Sequence, residues 1–372
     1  MFKAEKSALL SALALAGSIV EKRNTIPILQ NVLIEREEER LIARVTNLDI
    51  EAKSYFKAVS IDPGFEPFTV PAALLADIVR KLPDGAEASV ERAKADRLDS
   101  IVLKSGRSRF VLQVLPAGDF PEMVMATGAV RVSIPADELA GAIGDCSHAI
   151  STEETRIYLN GIYFHQVDGS EDATFVATDG HRLVKRLTQA DISAGFPGVI
   201  IPRMAVRVLQ KILPDAGDID LMVTPNLIRV VGGSAIVTSK LIDGNFPDYL
   251  RVIPAESTMV CTLPAKQLGE AVDRVATVAG DRGRGVSFTF ADQQLRLKVS
   301  NPDAGDAEDE LAFEGQADLT IGFNAKYVAE ALAHLSGENI TMSLGGAGAP
   351  AVLRSTIGSP ENLIVLMPMR IN

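Results

Sequence analysis

The segment Phe2–Val20 (FKAEKSALLSALALAGSIV) recurs twice farther along the chain, and this recurrence decides the fold. Its copies are Val132–Ile150 (VSIPADELAGAIGDCSHAI) and Cys261–Ala279 (CTLPAKQLGEAVDRVATVA). A second pattern, a short apolar strand followed by a helix, also occurs three times, at Val70–Leu82, Ile201–Leu213 and Phe323–Leu335. Both series step by roughly 120–130 residues, which is the size of a domain rather than of a solenoid unit. The sequence therefore predicts three tandem copies of one domain.

Each copy is predicted to be an α+β domain with two helices against an antiparallel sheet. Apolar residues in the helical segments follow the spacing of one helix face, as Leu139 and Ile143 do in the second copy. Proline stands where a helix start tolerates it, at Pro71, Pro135, Pro202 and Pro264. Alternating runs between turn residues indicate strands at Leu33–Ile34, Leu41–Val45, Ile101–Leu103, Phe110–Leu115, Leu227–Val231, Ile236–Leu241, Phe288–Phe290 and Leu295–Val299. The predicted domains span residues 1–128, 129–255 and 256–372.

The charge distribution is uneven. The 372-residue chain has a formal net charge of −11, which argues against a protein that coats nucleic acid by bulk attraction. Its basic residues nevertheless concentrate on the predicted helices, and its acidic residues in predicted loops, most densely at Asp303–Glu310. If all the helices faced one way, they would form a basic inner face with an acidic exterior. The alternative is that these basic residues only solvate the helices, and charge alone leaves both open.

Cysteine usage and hydropathy bear on the compartment. Cys261 opens a predicted strand and Cys146 lies in a predicted helix, so we expect two reduced, buried thiols, as in a reducing cytosol. The apolar stretch Ala8–Ala16 resembles a signal peptide, but Glu5 precedes it and the same pattern recurs inside the chain. No apolar run is long enough to span a bilayer. We therefore predict a cytoplasmic protein with no membrane partner.

Five motifs carry a family resemblance. They are Ser105–Phe110 (SGRSRF), Tyr158–Gly161 (YLNG), Thr178–Leu183 (TDGHRL), Ser239–Tyr249 (SKLIDGNFPDY) and Leu366–Ile371 (LMPMRI). Together with the length and the triple repeat, they resemble the bacterial DNA polymerase III β subunit family, the sliding clamps. The resemblance covers the whole chain. It implies a head-to-tail homodimer, closed into a ring whose pore is lined by helices.

The resemblance also implies the function and the partners. Such a ring encircles double-stranded DNA without sequence specificity and tethers the polymerase catalytic subunit, the clamp loader and other proteins that carry a clamp-binding motif. It confers processivity, and it is a non-catalytic subunit with no cofactor and no metal site. In this family, partners insert a short, partly apolar peptide between the second and third domains. Carried over by motif, the cleft residues are Leu159, Thr178, Gly180, His181, Arg182, Leu183, Pro247, Arg251, Val252, Val365, Leu366, Met367, Pro368 and Met369. We expect an apolar slot with two adaptable methionines and a rim of arginines for polar peptide atoms.

Two further residue sets follow from the resemblance. The residues predicted to face DNA phosphates are Arg23, Arg80, Lys81, Arg156, Arg203, Arg207 and Lys211. Ala73 stands where some relatives have an arginine. The predicted dimer contacts are Arg107, Arg109, Phe110 and Leu112 on an edge strand of one protomer, and Val272, Thr277 and Val278 on its partner. The edge strand Arg107–Leu112 is expected to pair around Val272–Val278, with its arginines near Asp303–Glu310.

Two other functions are alternatives. Asp179 and His181 are neighbours that could form the acid–base pair of an enzyme, but the sequence has no nucleophile elbow, phosphate loop or companion carboxylate motif. Its four histidines, His148, His165, His181 and His334, lack metal-ligand spacing. The alternative function is a peptide-binding scaffold with the same three-domain ring that does not hold DNA.

Overall fold

Helices occur where the repeats predict them. The computed structural model describes residues 1–21, 24–93, 99–167, 172–192, 196–215, 217, 219–255, 257–280 and 285–371. In these ranges the α-helices are α1 (Lys6–Ala12), α2 (Ala16–Ile19), α3 (Ala72–Arg80), α4 (Ala136–Ser147), α5 (Arg203–Ile212), α6 (Ala265–Ala276) and α7 (Ala325–Ala333). Within them, no helix is long and apolar enough to cross a membrane.

The first predicted helix is divided into α1 and α2. Leu13 and Leu15 are both buried, although two positions apart they would lie on opposite sides of a regular helix. The main-chain N–H of Ala14 donates to Ser11 and that of Ala16 to Leu13, which are bonds of 3₁₀ type. This tighter turn brings both leucines into the core.

The strands of the described residues follow in chain order, and all eight predicted runs lie in them apart from a few terminal residues. In the first repeat they are β1 (Phe2–Glu5), β2 (Asn31–Glu37), β3 (Arg40–Thr46), β4 (Ile50–Phe56), β5 (Ser60–Ile61), β6 (Phe68–Pro71), β7 (Glu87–Arg92), β8 (Ser100–Ser105) and β9 (Ser108–Gln113). In the second they are β10 (Val130–Ser133), β11 (Gly161–Gln166), β12 (Ala173–Thr178), β13 (Arg182–Thr188), β14 (Asp191–Ile192), β15 (Val199–Pro202), β16 (Ile219–Val223), β17 (Leu227–Gly232) and β18 (Ala235–Lys240). In the third they are β19 (Met259–Pro264), β20 (Gly285–Ala291), β21 (Gln294–Asn301), β22 (Gly305–Ala312), β23 (Glu314–Gln316), β24 (Leu319–Asn324), β25 (Asn339–Leu344), β26 (Ala351–Ser355) and β27 (Leu363–Leu366).

The strands belong to two compact units. One comprises Met1–Ala140, Ala190–Pro197 and Met204–Leu241, and its sheets have the orders β5-β1-β7-β8-β9 and β14-β10-β16-β17-β18-β4-β3-β2-β6. The other comprises Gly141–Gln189, Gly198–Arg203 and Ile242–Asn372, and its sheets have the orders β15-β11-β12-β13-β27-β26-β25-β19-β23 and β22-β21-β20-β24. All the strand pairs in these sheets are antiparallel, as predicted.

Two strand pairs join successive repeats into continuous sheets. In the first unit, β18 of the second repeat pairs with β4 of the first, from Ala235 opposite Ser54 to Ser239 opposite Ile50. In the second unit, β13 of the second repeat pairs with β27 of the third, from Arg182 opposite Leu366 to Lys185 opposite Leu363. Contacts therefore group the strands by sheet rather than by repeat, and the division at residues 128 and 255 stays a prediction.

The core confirms the expectation for the cysteines. Cys146 in α4 and Cys261 in β19 are both fully buried and unbridged. Burial raises the pKa of the Cys146 thiol well above its ordinary value and that of Cys261 to about 12, so both stay protonated. They act as small apolar core residues.

One loop prediction is wrong. The acidic segment predicted as a loop at Asp303–Glu310 contains most of β22, whose residues pair with β21 from Gly305 opposite Asn301 to Ala312 opposite Gln294. The strand lies at the edge of its sheet, with Leu311 facing the core and Asp306, Glu308 and Glu310 exposed. Acidic side chains are tolerated here because an edge strand has a solvated side.

Candidate peptide-binding cleft

A tight turn between β12 and β13 forms one side of the predicted cleft. The Thr178 hydroxyl accepts from the N–H of Gly180 at 3.1 Å and donates to the carbonyl of Arg182 at 2.6 Å. The Asp179 carboxylate accepts from the N–H groups of His181 and Arg182 at 2.9 and 3.0 Å. Gly180 has φ +90°, a left-handed conformation that favours glycine. The turn thus closes on itself and leaves the His181 side chain exposed.

The C-terminal segment lies beside this turn. After β27, the N–H of Met367 donates to the carbonyl of His181 at 2.9 Å, which continues the β13–β27 pairing by one bond. The N–H of Met369 then donates to the carbonyl of Gly322 at 2.9 Å. A side chain at Gly322 would lie within 2.5 Å of the Met369 carbonyl oxygen, so glycine permits this close approach. The predicted methionine segment is therefore held between the turn and β24.

An apolar core supports the cleft from beneath. Leu183, Tyr249 and Val365 belong to one buried cluster, together with Val176, Val352 and Leu363. Tyr249 begins a 3₁₀ turn, Tyr249–Val252, and its hydroxyl lies 3.1 Å from His165 Nε2. Burial raises the pKa of the Tyr249 phenol to about 12 and lowers the pKa of His165, so both are neutral near pH 7. The floor is uncharged at this point.

The predicted cleft residues differ in exposure: the buried ones form the floor of the cleft and the exposed ones its rim. The buried ones are Leu159, Arg182, Leu183, Val365 and Leu366. The half-buried ones are Thr178, Pro368 and Met369. The exposed ones are Gly180, His181, Pro247, Arg251, Val252 and Met367. The exposed set includes Met367 and Val252, at 37% and 40%, and so offers apolar surface to a partner.

The expectation of a rim with two arginines is wrong for Arg182. Its side chain is only 8% exposed, because Asp179, Glu330 and the carbonyl of His148 surround the guanidinium. Arg251 fits the expectation, since its side chain is 85% exposed and pairs with Asp248 at 2.8 Å.

Arg156 belongs beside the cleft turn. A Cβ at Gly180 would lie 2.9 Å from Arg156 Nη1, so the guanidinium packs over this glycine. Arg156 also binds Glu153, whose pKa is lowered by hydrogen bonds from Thr155 and Arg156. The structure thus places Arg156 beside Gly180, and its role in facing DNA stays a prediction.

Sequence reasoning missed Tyr327. This residue of α7 lies against His181, with ring centres 6.3 Å apart and planes at 22°. The guanidinium carbon of Arg182 is 4.4 Å from the centre of the same ring. Tyr327 adds an aromatic wall to the turn. No local motif marks it, because it sits in an ordinary amphipathic helix.

An acid–base pair of Asp179 and His181 is not formed. The two oxygens of Asp179 accept from the main-chain N–H groups of the turn and from Arg182 Nε, not from the His181 ring. Within the described residues, no group of His, Cys, Asp and Glu has a metal-binding arrangement. The carboxylate of Asp179 thus serves to close the turn.

Four of the residues predicted to face DNA lie on helices, Arg80 on α3 and the other three on α5. On α5, Arg203, Arg207 and Lys211 recur every four residues, and Arg207 and Lys211 are exposed. Lys211 Nζ donates to Ser18 Oγ at 2.5 Å. Arg80 pairs with Asp77 at 2.6 Å, and Lys81 is exposed at the end of α3. Arg23 lies outside the described residues.

The predicted dimer contacts are only partly at the surface. Arg107 and Arg109 are exposed and Phe110 is half-buried, on or beside β9 at the edge of its sheet. Leu112 and Val272 are buried within their own units, at 5% and 1%, so their side chains offer little surface to a partner. The backbone of Val272 is helical, so the expected strand pairing there is wrong; the outer strands of that unit's small sheet are β22 and β24. Thr277 is exposed and Val278 half-buried after α6.

Family models match the chain along almost all of its length. They describe the DNA polymerase III beta subunit, with its N-terminal domain at residues 1–124, its central domain at 133–248 and its C-terminal domain at 250–370. The chain belongs to this family. The prediction from the motifs is thus confirmed, and the chain is a sliding clamp by family and function.

Individual relatives agree with this assignment. The beta sliding clamp of Caulobacter vibrioides is 40% identical over 379 residues, covering 99% of each chain. That of Vibrio cholerae is 35% identical and covers 100% of each. Among solved structures, the Bartonella birtlesii sliding clamp bound to griselimycin is 42% identical, with a TM-score of 0.93 and coverage of 100% of this chain and 99% of that one. The alternative of a scaffold unrelated to DNA finds no support among these relatives.

Proposed function

We propose that two copies of this sliding-clamp chain close head to tail into a ring around duplex DNA and tether replication proteins through the cleft. The proposed partners are the polymerase catalytic subunit, the clamp loader and other proteins with a clamp-binding motif. The observation that carries the proposal is the hydrogen bond from Met367 to His181. It brings two motifs from distant parts of the chain to the sides of one apolar floor.

The composition of the cleft fits a short, partly apolar peptide. Met367 and Val252 provide exposed apolar contacts, and the exposed His181 and Arg251 provide polar ones. Methionine adapts to side chains of different shape, which suits a site that serves several partners. The sliding clamps of Bartonella birtlesii and Pseudomonas aeruginosa have been solved with griselimycin bound, so clamps of this fold take up a ligand.

The edges of two sheets support ring closure. β9 carries Arg109 and follows Arg107, whereas β22 carries Asp306, Glu308 and Glu310. A free basic edge in one unit and a free acidic edge in the other can pair between two copies through main-chain hydrogen bonds. Opposite charges favour the heterologous, head-to-tail arrangement.

DNA is held by enclosure rather than by tight binding. The net charge of −11 opposes strong attraction, while the three basic residues on one face of α5 supply local contacts to phosphates. This role involves no catalytic step and no cofactor, and it places the protein in the cytoplasm with its chromosome.

Electron microscopy of the purified protein tests the ring. Particles should show a closed ring with an open centre, and light scattering should give twice the 39.7 kDa mass of one chain. An open or strictly monomeric particle at micromolar concentration would contradict the proposal.

A further inference from the structure

Arg182 lies at the centre of the contacts around the cleft turn. Nε donates to Asp179 at 3.1 Å, Nη1 donates to Glu330, and Nη2 donates to the carbonyl of His148. The ring of Tyr327 covers one face of the guanidinium. A guanidinium presents its donors in a planar fork, and here each of its three nitrogens already has an acceptor. The side chain is also only 8% exposed, so a partner peptide has little access to the N–H groups that remain.

The turn itself does not need an arginine. A second turn with the same bonding occurs between β3 and β4, where Thr46 accepts from Leu48 at 3.0 Å and Asn47 accepts from Asp49 and Ile50 at 3.0 and 2.8 Å. Leu48 has φ +76°, close to the φ of +90° at Gly180. The N–H of Lys240 donates to the Asp49 carbonyl at 2.8 Å, as Met367 does to His181.

The comparison isolates what the arginine adds. The position of Arg182 is occupied by Ile50 in the first turn, which nevertheless closes in the same way. Arg182 instead connects its turn to α7 through Glu330 and Tyr327, and to the end of α4 through His148. Tyr327 in turn lies against His181. The extra contacts thus fix the aromatic wall that faces the cleft.

We infer that Arg182 is a positioning residue, which holds Tyr327 and His181 in place for a partner peptide without touching the peptide. This inference rests on the proposed function of the cleft. It distinguishes Arg182 from Arg251, whose exposed guanidinium pairs with Asp248 through Nε and can also meet an acidic group of the peptide. The two arginines of the cleft then have different roles: Arg182 holds the aromatic wall in place, and Arg251 attracts acidic groups at the rim.

A pair of peptides separates these roles. The probe is a fluorescein-labelled peptide from the clamp-binding segment of the polymerase catalytic subunit, made with Glu or with Gln at its N-terminal end. We expect Arg182→Met to weaken both peptides by roughly tenfold, the size of one charge-assisted hydrogen bond. Arg182→Lys should not restore binding, because an ammonium has its donors on one nitrogen and cannot reproduce the planar fork that reaches three separate acceptors. Arg251→Ala should weaken the Glu peptide more than the Gln peptide.

A spectroscopic signal reports the wall directly. The chain has four histidines, so selective ¹³C labelling resolves the ring of His181. The variant Tyr327→Leu removes the ring beside His181 and gives the reference position of the His181 signal without the wall. Arg182→Met should move the His181 signal toward that position, whereas a general loss of stability would not. Glu330→Gln removes the ion pair of half-buried Glu330 with Arg182 and should weaken the binding of both peptides by about threefold. This variant tests the inference if Arg182→Met does not fold.

The outcomes are distinct. A loss at Arg182 confined to the Glu peptide would show direct contact and overturn the inference, as would full affinity in both Arg182→Met and Glu330→Gln. If the unmodified chain bound neither peptide, the proposed function of the cleft would fail and the inference with it.

Discussion

The main-chain N–H of Met367 donates a 2.9 Å hydrogen bond to the carbonyl of His181, which joins the C-terminal segment to the turn between β12 and β13. The bond extends a four-residue antiparallel pairing that already links two repeats. It depends on the backbone only, so it survives most changes of the Met367 side chain. A substitution of the Met367 side chain therefore removes its apolar contact with a partner but leaves the backbone of the cleft in place.

Met367→Ala should weaken binding of a polymerase-derived peptide by tenfold or more. The substitution removes an apolar wall contact worth about 1–3 kcal/mol, while the backbone bond remains. Fluorescence polarisation measures the affinity and light scattering checks that the dimer persists. Met204→Ala is the matched control, because Met204 is 40% exposed, against 37% for Met367, but lies on α5. Equal affinities of the two variants would contradict the cleft assignment.

Arg109→Glu should weaken the dimer, and Glu310→Arg in the same chain should restore it. Arg109→Glu places negative charges on both strand edges, so they repel each other. Adding Glu310→Arg restores the attraction, with the two charges exchanged between the edges. We expect a shift of a few fold to about tenfold in the dimer dissociation constant, since the main-chain bonds remain. Analytical ultracentrifugation measures it. Lys57→Glu, also exposed, controls for net charge, and a double variant as weak as the single one would argue against this pairing.

Retention on DNA should depend on topology. Once a loader closes the ring on circular DNA, escape requires opening an interface rather than breaking phosphate contacts, so retention should survive salt that abolishes ordinary binding. Co-elution of labelled protein with plasmid, before and after one linearising cut, measures this. The cut should release the protein quickly. A bound fraction that the cut leaves unchanged at moderate salt would mean that the protein grips DNA directly.

Replacing Arg207 and Lys211 by alanine should reduce the salt dependence of short-duplex binding. Each lost phosphate contact lowers the slope of log affinity against log salt by about 0.9, so the double variant should lose close to two. Titrations at several salt concentrations give the slope. Arg296→Ala, an exposed residue of β21, should leave it unaltered. An equal reduction of the salt slope in Arg296→Ala would show that the effect comes from net charge and not from α5.

Stability should fall as the pH drops from about 6.5 to 4, in part through His148. Burial, with the nearby charges of His334 and Arg182, lowers its pKa from 6.5 to about 4. In this window the unfolded chain binds a proton that the folded chain does not, so the free energy of unfolding decreases as pH falls, by on the order of 2 kcal/mol after allowance for partial exposure. Neutral His148 stacks on His334 at 4.4 Å.

Urea unfolding at pH 7 and pH 5 tests the contribution. His148→Phe keeps an aromatic ring in the stack but cannot titrate, so this variant should lose less stability over the interval than the unmodified chain. An identical pH dependence in both proteins would exclude His148 as a source of the acid sensitivity.

The sequence predicts the repeat and its elements well, because each is encoded locally. The TDGHRL motif reveals a turn for the same reason: Thr178, Asp179 and Gly180 specify it within a few residues. Long-range partners are different. Nothing in the sequence around Arg182 shows that Glu330 and Tyr327 will enclose its side chain. From the sequence alone, a buried arginine therefore cannot be told from an arginine at the rim. Likewise β22 reads as a loop, because solvated edge strands accept acidic residues that interior strands exclude.

The pairing of β18 with β4 and of β13 with β27 has a consequence for dissection of the protein. Cutting the chain between repeats would strip these strands of their neighbours and expose unsatisfied N–H and C=O groups along uncapped strands that carry apolar residues such as Val237 and Ile364. Such edges recruit other chains. A single repeat expressed alone should therefore aggregate, whereas fragments that keep each sheet whole should remain dispersed.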